Sequence, residues 1–139
     1  MPIFIAAPEA AAAPDPGGVK MSREKIQLGQ TAEKLAWQYL QKQGFNLVLG
    51  NYRCPYGEID LIVQEKDTLV FVEVRSRRGL HQTEALASID QRKQQKIRQT
   101  ALHYLQEKEI SEDCPLRFDA IAITFHDSRY SLTHLRQAF

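Results

Sequence analysis

The sequence predicts a single α/β domain with a mixed central sheet of four to five strands flanked by helices, in the order α-β-β-β-α-β-β. Three observations carry that reading. A stretch of helical period ends at Gly44 and leads directly into segments of alternating polarity. Two of those segments, residues 57–63 and 69–75, are separated only by Gln64-Glu65-Lys66-Asp67-Thr68, so a hairpin is the economical connection. A second helical stretch then precedes another alternating segment, and a crossover of that kind brings a strand back beside its predecessors.

The elements follow in chain order. Residues 1–21 are rich in Ala, Pro and Gly, and are expected to form a disordered tail ahead of a domain over residues 22–139. The apolar piece Ile3-Phe4-Ile5-Ala6-Ala7 is too short for a signal peptide and has no Lys or Arg before it. Met21 stands as an alternative start to Met1. Across residues 28–43, Ala32, Leu35, Ala36, Tyr39 and Leu40 fall at i, i+3, i+4, i+7 and i+8, one apolar stripe, and Gly44 sits where a helix end prefers glycine. Glu33 lies next to that stripe, where an isolated helical Glu is ordinarily a solvated flank.

Residues 45–53 alternate as a first strand, and Cys54-Pro55-Tyr56-Gly57 reads as a turn. The hairpin strands follow. Gly79 then opens a polar loop containing His81. A second helix runs from Ser88 or Asp90, either of which can cap it, to about residue 107, with Ile97, Ala101, Leu102 (or Tyr104) and Leu105 as its apolar stripe. Residues 116–125 alternate as a strand, His126-Asp127-Ser128 is a turn, and residues 130–135 form a last short strand.

Composition narrows the class. The chain has 139 residues, enough for one domain with its own core. Cys54 and Cys114 stand far apart in no metal-ligand spacing, which suggests two reduced thiols in a cytoplasmic protein. No apolar run approaches the roughly 18 residues that span a bilayer.

Two constellations could carry chemistry. In the hairpin, period two places Glu58, Asp60 and Ile62 on one face of the first strand, and Leu69, Phe71, Glu73 and Arg75 on one face of the second. If Lys66-Asp67 is a two-residue turn, positions summing to 133 face each other and Asp60 lies opposite Glu73; a longer loop shifts that register. Paired carboxylates repel unless something positive lies between them, either a divalent metal or Arg75. A plain salt bridge from Arg75 to one of the acids is the alternative. The second constellation is a basic band. Between Arg75 and Arg98 there are seven basic residues (Arg75, Arg77, Arg78, Arg92, Lys93, Lys96, Arg98) against Glu84 and Asp90, a net charge of +5 in a chain whose total is +1. Such a patch suits a phosphate backbone, although a solvated helix face has the same composition.

Together the segments Gly29-x-x-Ala32-Glu33, Asn51-Tyr52-Arg53, Gly57-Glu58-Ile59-Asp60-Leu61-Ile62, Phe71-Val72-Glu73-Val74-Arg75, Lys93 with Tyr104-Leu105, and Arg117-Phe118-Asp119 resemble the YraN family. These small bacterial proteins are similar to Holliday junction resolvases and other nucleases of the restriction-endonuclease-like PD-(D/E)xK fold. The resemblance covers residues 24–125 and implies a core of order α-β-β-β-α-β. It implies that Asp60 and Glu73 hold Mg²⁺ or Mn²⁺, that Glu33 completes the site from the helix, and that Arg75 stands at the usual lysine position. It implies a nuclease acting on DNA phosphodiesters, branched or processed DNA among them, with Arg77, Arg78, Arg92, Lys93 and Lys96 gripping the backbone. A homodimer fits the habit of resolvase-like relatives. The alternative is a nuclease-fold module without turnover that binds nucleic acid or a protein partner. Two departures bear on this. Ala32 replaces a frequent glycine. Arg75 stays protonated and cannot serve as a general base at neutral pH, though it can orient a water or stabilise phosphate charge.

Overall fold

The computed structural model describes residues 3–6, 20–79 and 82–139, with side chains from Thr31 onward. The first helix, α1 (Lys20–Lys42), starts earlier than its apolar stripe and stops at Gly44, which takes a φ of 96°. β2 (Asn46–Cys54), β3 (Gly57–Glu65) and β4 (Thr68–Arg78) form the expected meander. Next comes α2 (Gln82–Ala87), a short helix where the sequence suggests a polar loop. α3 (Gln91–Glu107) follows, with Asp90 as its cap: the Asp90 carboxylate accepts the Lys93 N–H at 2.9 Å. β5 (Leu116–His126) and β6 (Arg129–Leu135) close the chain as a hairpin.

The strands form one sheet in the order β1-β6-β5-β4-β3-β2, where β1 is Ile3–Ala6. All five expected strands are present. β1 is a sixth at the edge, antiparallel to β6, inside the stretch read as disordered. The rest of that tail, residues 1–2 and 7–19, lies outside the described residues, as do Leu80 and His81 of the expected loop. Only β4 and β5 run parallel; every other neighbouring pair is antiparallel. The parallel pair is what a helical crossover dictates, and α2 and α3 provide it.

The two faces are covered by different helices. On one face Leu35, Ala36 and Leu40 of α1 pack on Leu61, Val63, Val70, Val72, Ile121 and Ile123. On the other, Ile97, Ala101, Tyr104 and Leu105 of α3 pack on Tyr52, Ile59, Ile62, Leu69, Phe71 and Ala120. The alternative, Tyr104, therefore takes the stripe position read first as Leu102; Leu102 is exposed. With both faces covered, the apolar runs of β3, β4 and β5 are explained.

The β3–β4 hairpin has the two-residue turn. Leu61↔Val72, Ile62↔Phe71, Val63↔Val70, Gln64↔Leu69 and Glu65↔Thr68 pair across it, and Lys66 takes a left-handed φ of 55°. Every pair sums to 133, as the expected register requires. The period-two face assignment fails at one place. Ile59 and Leu61, two positions apart, belong to opposite cores, so β3 changes faces at Asp60. Opposite this point on β2, Asn51 has a φ of 53°, a backbone turn that strand residues avoid.

Candidate functional site

Asp60 sits where the β3–β4 ladder ends. Beyond the Leu61↔Val72 pair, the Val74 N–H donates to Asp60 Oδ2 at 2.8 Å in place of a main-chain acceptor. One carboxylate oxygen is thereby fixed to β4. Asp60 also stands close enough to the carboxyls of Glu33 and Glu73 for its charge to raise both. The three acids that sequence reasoning selected thus converge from α1, β3 and β4.

Each flanking acid is perturbed by this crowding. Burial, then the charge of Asp60 and a hydrogen bond to it, push Glu33 up to about 7. The Asn51 amide opposes this; with its nitrogen toward Glu33 it donates to Oε1 at 3.3 Å and Oε2 at 3.1 Å. The left-handed turn of Asn51 has a use here, because it carries the amide to the helix carboxyl. Glu73 is only 5% exposed. Burial first, then Asp60, raise it to about 8, against the opposing charges of Lys93 and Arg75. Two nearby cations do not offset the loss of water and a neighbouring carboxylate.

Those cations come from different elements. Arg75 Nη2 on β4 and Lys93 Nζ on α3 each stand 3.4 Å from Glu73 Oε2. Sequence reasoning assigned Lys93 to the backbone-gripping band, but the structure brings it to the carboxylates. The signal was present: Lys93, Ile97, Thr100 or Ala101, and Tyr104 share one line of α3, so Lys93 heads the buried stripe. Arg75 Nε is buried and has no hydrogen-bond partner among the described residues. The simple salt bridge considered for Arg75 exists, but it does not satisfy the guanidinium.

The remaining basic residues are not all alike. Arg92 and Lys96 are exposed on α3, and Arg78 is exposed at the end of β4. Arg77 folds back so that Nη1 donates to the Ser76 carbonyl at 2.8 Å. Arg98, part of the band by count, lies over the Phe118 and Phe139 rings at 5.7 and 5.5 Å and is a packing residue.

Sequence reasoning gave no role to a second polar cluster at the far side of β5. Asp119 is fully buried and accepts from Arg117 Nε at 2.8 Å, Arg117 Nη2 at 3.1 Å, His134 Nε2 at 2.8 Å and the Gln137 N–H at 3.1 Å. All its lone-pair directions are taken by protein donors, so this cluster holds the fold together and leaves nothing for a ligand.

Among the described residues, no group of three or more His, Cys, Asp or Glu side chains is arranged as a metal cage. The donor set nevertheless suits a hard cation. Mg²⁺ takes one or two carboxylates and keeps several waters, and the Asp60–Glu73 pair is an all-oxygen set. Crowding that raises two carboxyls is also what a cation between them would relieve.

Residues 32–123 match the model of the Uncharacterised protein family UPF0102. The chain is 44% identical over 119 residues to a UPF0102 protein of Legionella pneumophila, covering 86% of this chain and 97% of that one. It is 42% identical over 111 residues to one from Nitrosococcus oceani, covering 80% and 90%. A relative from Psychromonas ingrahamii is 53% identical over 95 residues, covering 68% and 76%. The matched region contains Glu33, Asp60, Glu73, Arg75 and Lys93.

Proposed function

The chain belongs to the UPF0102 family, the YraN family of the sequence resemblance, and from that premise we propose that it is a divalent-metal-dependent nuclease acting on DNA phosphodiesters. The observation that carries the proposal is the convergence of Glu33 and Glu73 on Asp60, beside Arg75 and Lys93. Carboxylates alone would suit a cation site of many kinds. Carboxylates with two cations at one oxygen suit a site that must hold a metal and a phosphate together.

Asp60 and Glu73 are the residues that would hold Mg²⁺ or Mn²⁺, which when bound supplies charge neutralisation and a more acidic water. Asp60 is preorganised by the Val74 N–H, so its carboxylate costs no reorientation during reaction. Glu33, tethered by Asn51, adds a third carboxyl from the helix side. Arg75 keeps its charge, and its buried Nε is a donor that a phosphate oxygen would satisfy. Lys93 brings an ammonium from α3 and supplies the compact cation that Arg75 does not. Arg92 and Lys96 continue the positive face along the helix, and Arg77 and Arg78 extend it along β4.

The test is cleavage of flap, fork, junction and single-stranded DNAs with Mn²⁺. Asp60→Ala and Glu73→Ala each abolish metal-dependent cleavage while the circular dichroism spectrum stays that of the parent. Undiminished activity in a purified double variant would sink the proposal. DNA binding that is salt-sensitive yet indifferent to Mg²⁺, with no cleavage by the parent, would favour a binding module, the reading that Arg75 in the lysine position supports.

A further inference from the structure

The solvent side of α3 carries a feature that the carboxylate cluster does not use. Arg92, Lys96, Gln99 and His103 follow at spacings of four, three and four residues and form one stripe. Arg92, Lys96 and Gln99 are exposed, and His103 is partly so. At the end of the stripe the His103 ring lies against Tyr56, with centroids 5.8 Å apart and planes at 56°. Glu107, one turn further, holds His103 Nε2 at 3.6 Å.

Tyr56 is 54% exposed, unusual for a large ring that is already in contact with another. It is carried on a tight turn. Tyr56 and Pro55 form the two-residue turn between Cys54 and Gly57, and Gly57 approaches the α3 side chain of Thr100 so closely that a Cβ there would stand 3.1 Å from its Oγ1. The ring therefore projects from a fixed turn. Lys93 and His103 are ten residues apart on the helix, about 15 Å, so the platform lies along α3 from the Lys93–Glu73 pair.

A flat exposed ring at the end of a positive stripe is the arrangement that captures a base with its strand backbone. We infer that Tyr56, backed by His103, is a stacking platform for an unpaired base of a DNA strand whose phosphates run along Arg92 and Lys96. This rests on the nucleic-acid reading of the site and narrows its substrate to DNA with a single-stranded stretch. Stacking has no need of base identity, so recognition tolerates any sequence. The interior of a duplex keeps its bases stacked on each other and gains nothing from Tyr56.

Fluorescence anisotropy of the full chain tests this with labelled oligothymidylate and a blunt duplex of equal length, in Ca²⁺ to hold cleavage back. Tyr56→Ala weakens oligothymidylate roughly five- to hundred-fold and leaves the duplex unchanged, while Tyr56→Phe keeps the parent affinity for both. Arg92→Ala with Lys96→Ala lowers the single-strand salt slope by about 1.4, two charges at ~0.7 each. Equal single-strand affinity of Tyr56→Ala and parent, or equal losses on both DNAs, overturns the inference. The two readings fail separately. Tyr56-dependent single-strand binding in a protein that cuts nothing keeps the platform and removes the nuclease; metal-dependent cleavage with Tyr56→Ala indifferent does the reverse.

Discussion

Glu73 Oε2 is approached by a guanidinium from its own strand and an ammonium from a helix, both at 3.4 Å. The two are not equivalent. Arg75 is a planar donor locked beside the carboxylate, with Nε buried. Lys93 is a compact point charge on a flexible four-carbon stem, and it is about as exposed as Arg75, 29% against 27%. At the residue scale the Lys-to-Arg departure at position 75 is therefore less damaging to a nuclease than it looks in the sequence, because a lysine arrives from elsewhere. On the proposed nuclease reading, Lys93→Ala removes one preorganised charge beside the phosphate and lowers the cleavage rate at saturating DNA about a hundred-fold. The rate must be read at saturation, so that weaker binding does not count. A variant with the parent rate and only poorer affinity would return Lys93 to the backbone grip.

The β2–β3–β4 meander places these residues, and Gly57 is its tightest point. Its φ of 153° and the 3.1 Å approach to Thr100 both disfavour a side chain. Thr100 has no room to retreat, since it is fully buried and its Oγ1 donates to the Lys96 carbonyl at 2.7 Å. Gly57→Ala should cost about 1–3 kcal/mol in urea unfolding. Gly50→Ala serves as the comparison: its Cβ would meet only Leu61 Cδ2, at 4.0 Å, so its loss stays within about 0.5 kcal/mol. Equal losses in the two would mean that the α3 contact is not what limits Gly57. The meander also shows what a sequence can disclose. The hairpin register and the meeting of Asp60 with Glu73 were legible, because the turn was short and the periodicity on either side clean. The change of face at Asp60 was not, because it depends on the left-handed backbone of Asn51 and the end of a ladder, which leave no trace in hydrophobic period. The short α2 was hidden for a related reason: six residues show less than two turns of pattern. The contact of Lys93 with Glu73 was not legible from charge counting, which treats a band as a surface, although its place in the α3 stripe already pointed inward.

At the scale of the whole molecule, the far polar cluster joins elements that the sheet alone leaves loosely connected. Arg117 on β5 donates to Asp119 and, through Nη1, to Glu65 at the end of β3 at 3.0 Å; Arg136 reaches the same Glu65 oxygen at 2.8 Å. His134 on β6 donates to Asp119 and meets the Tyr39 hydroxyl of α1 at 3.1 Å through Nδ1. Helix, sheet and C-terminal segment thus share one buried carboxylate. Burial alone would raise Asp119, but the hydrogen bonds from His134, Arg117 and the Gln137 N–H outweigh it and hold it at about 2, against 3.8 ordinarily. Glu65 is lowered as well, chiefly by Arg136. A carboxyl with a depressed folded pKa binds protons more readily when unfolded, so its stabilisation is full above about pH 4 and is lost as the pH falls towards 2. For Asp119 that amounts to about 2 kcal/mol. Glu33 and Glu73, held above the ordinary range, are protonated in both states below about pH 4 and add nothing to this limb. Urea midpoints measured between neutral pH and pH 2 should therefore fall on the acid side. Asp119→Asn should flatten that fall while lowering stability at neutral pH, because the amide cannot accept every bond the carboxylate does. An acid limb of unchanged steepness in Asp119→Asn would mean that another carboxylate sets the molecule's acid stability.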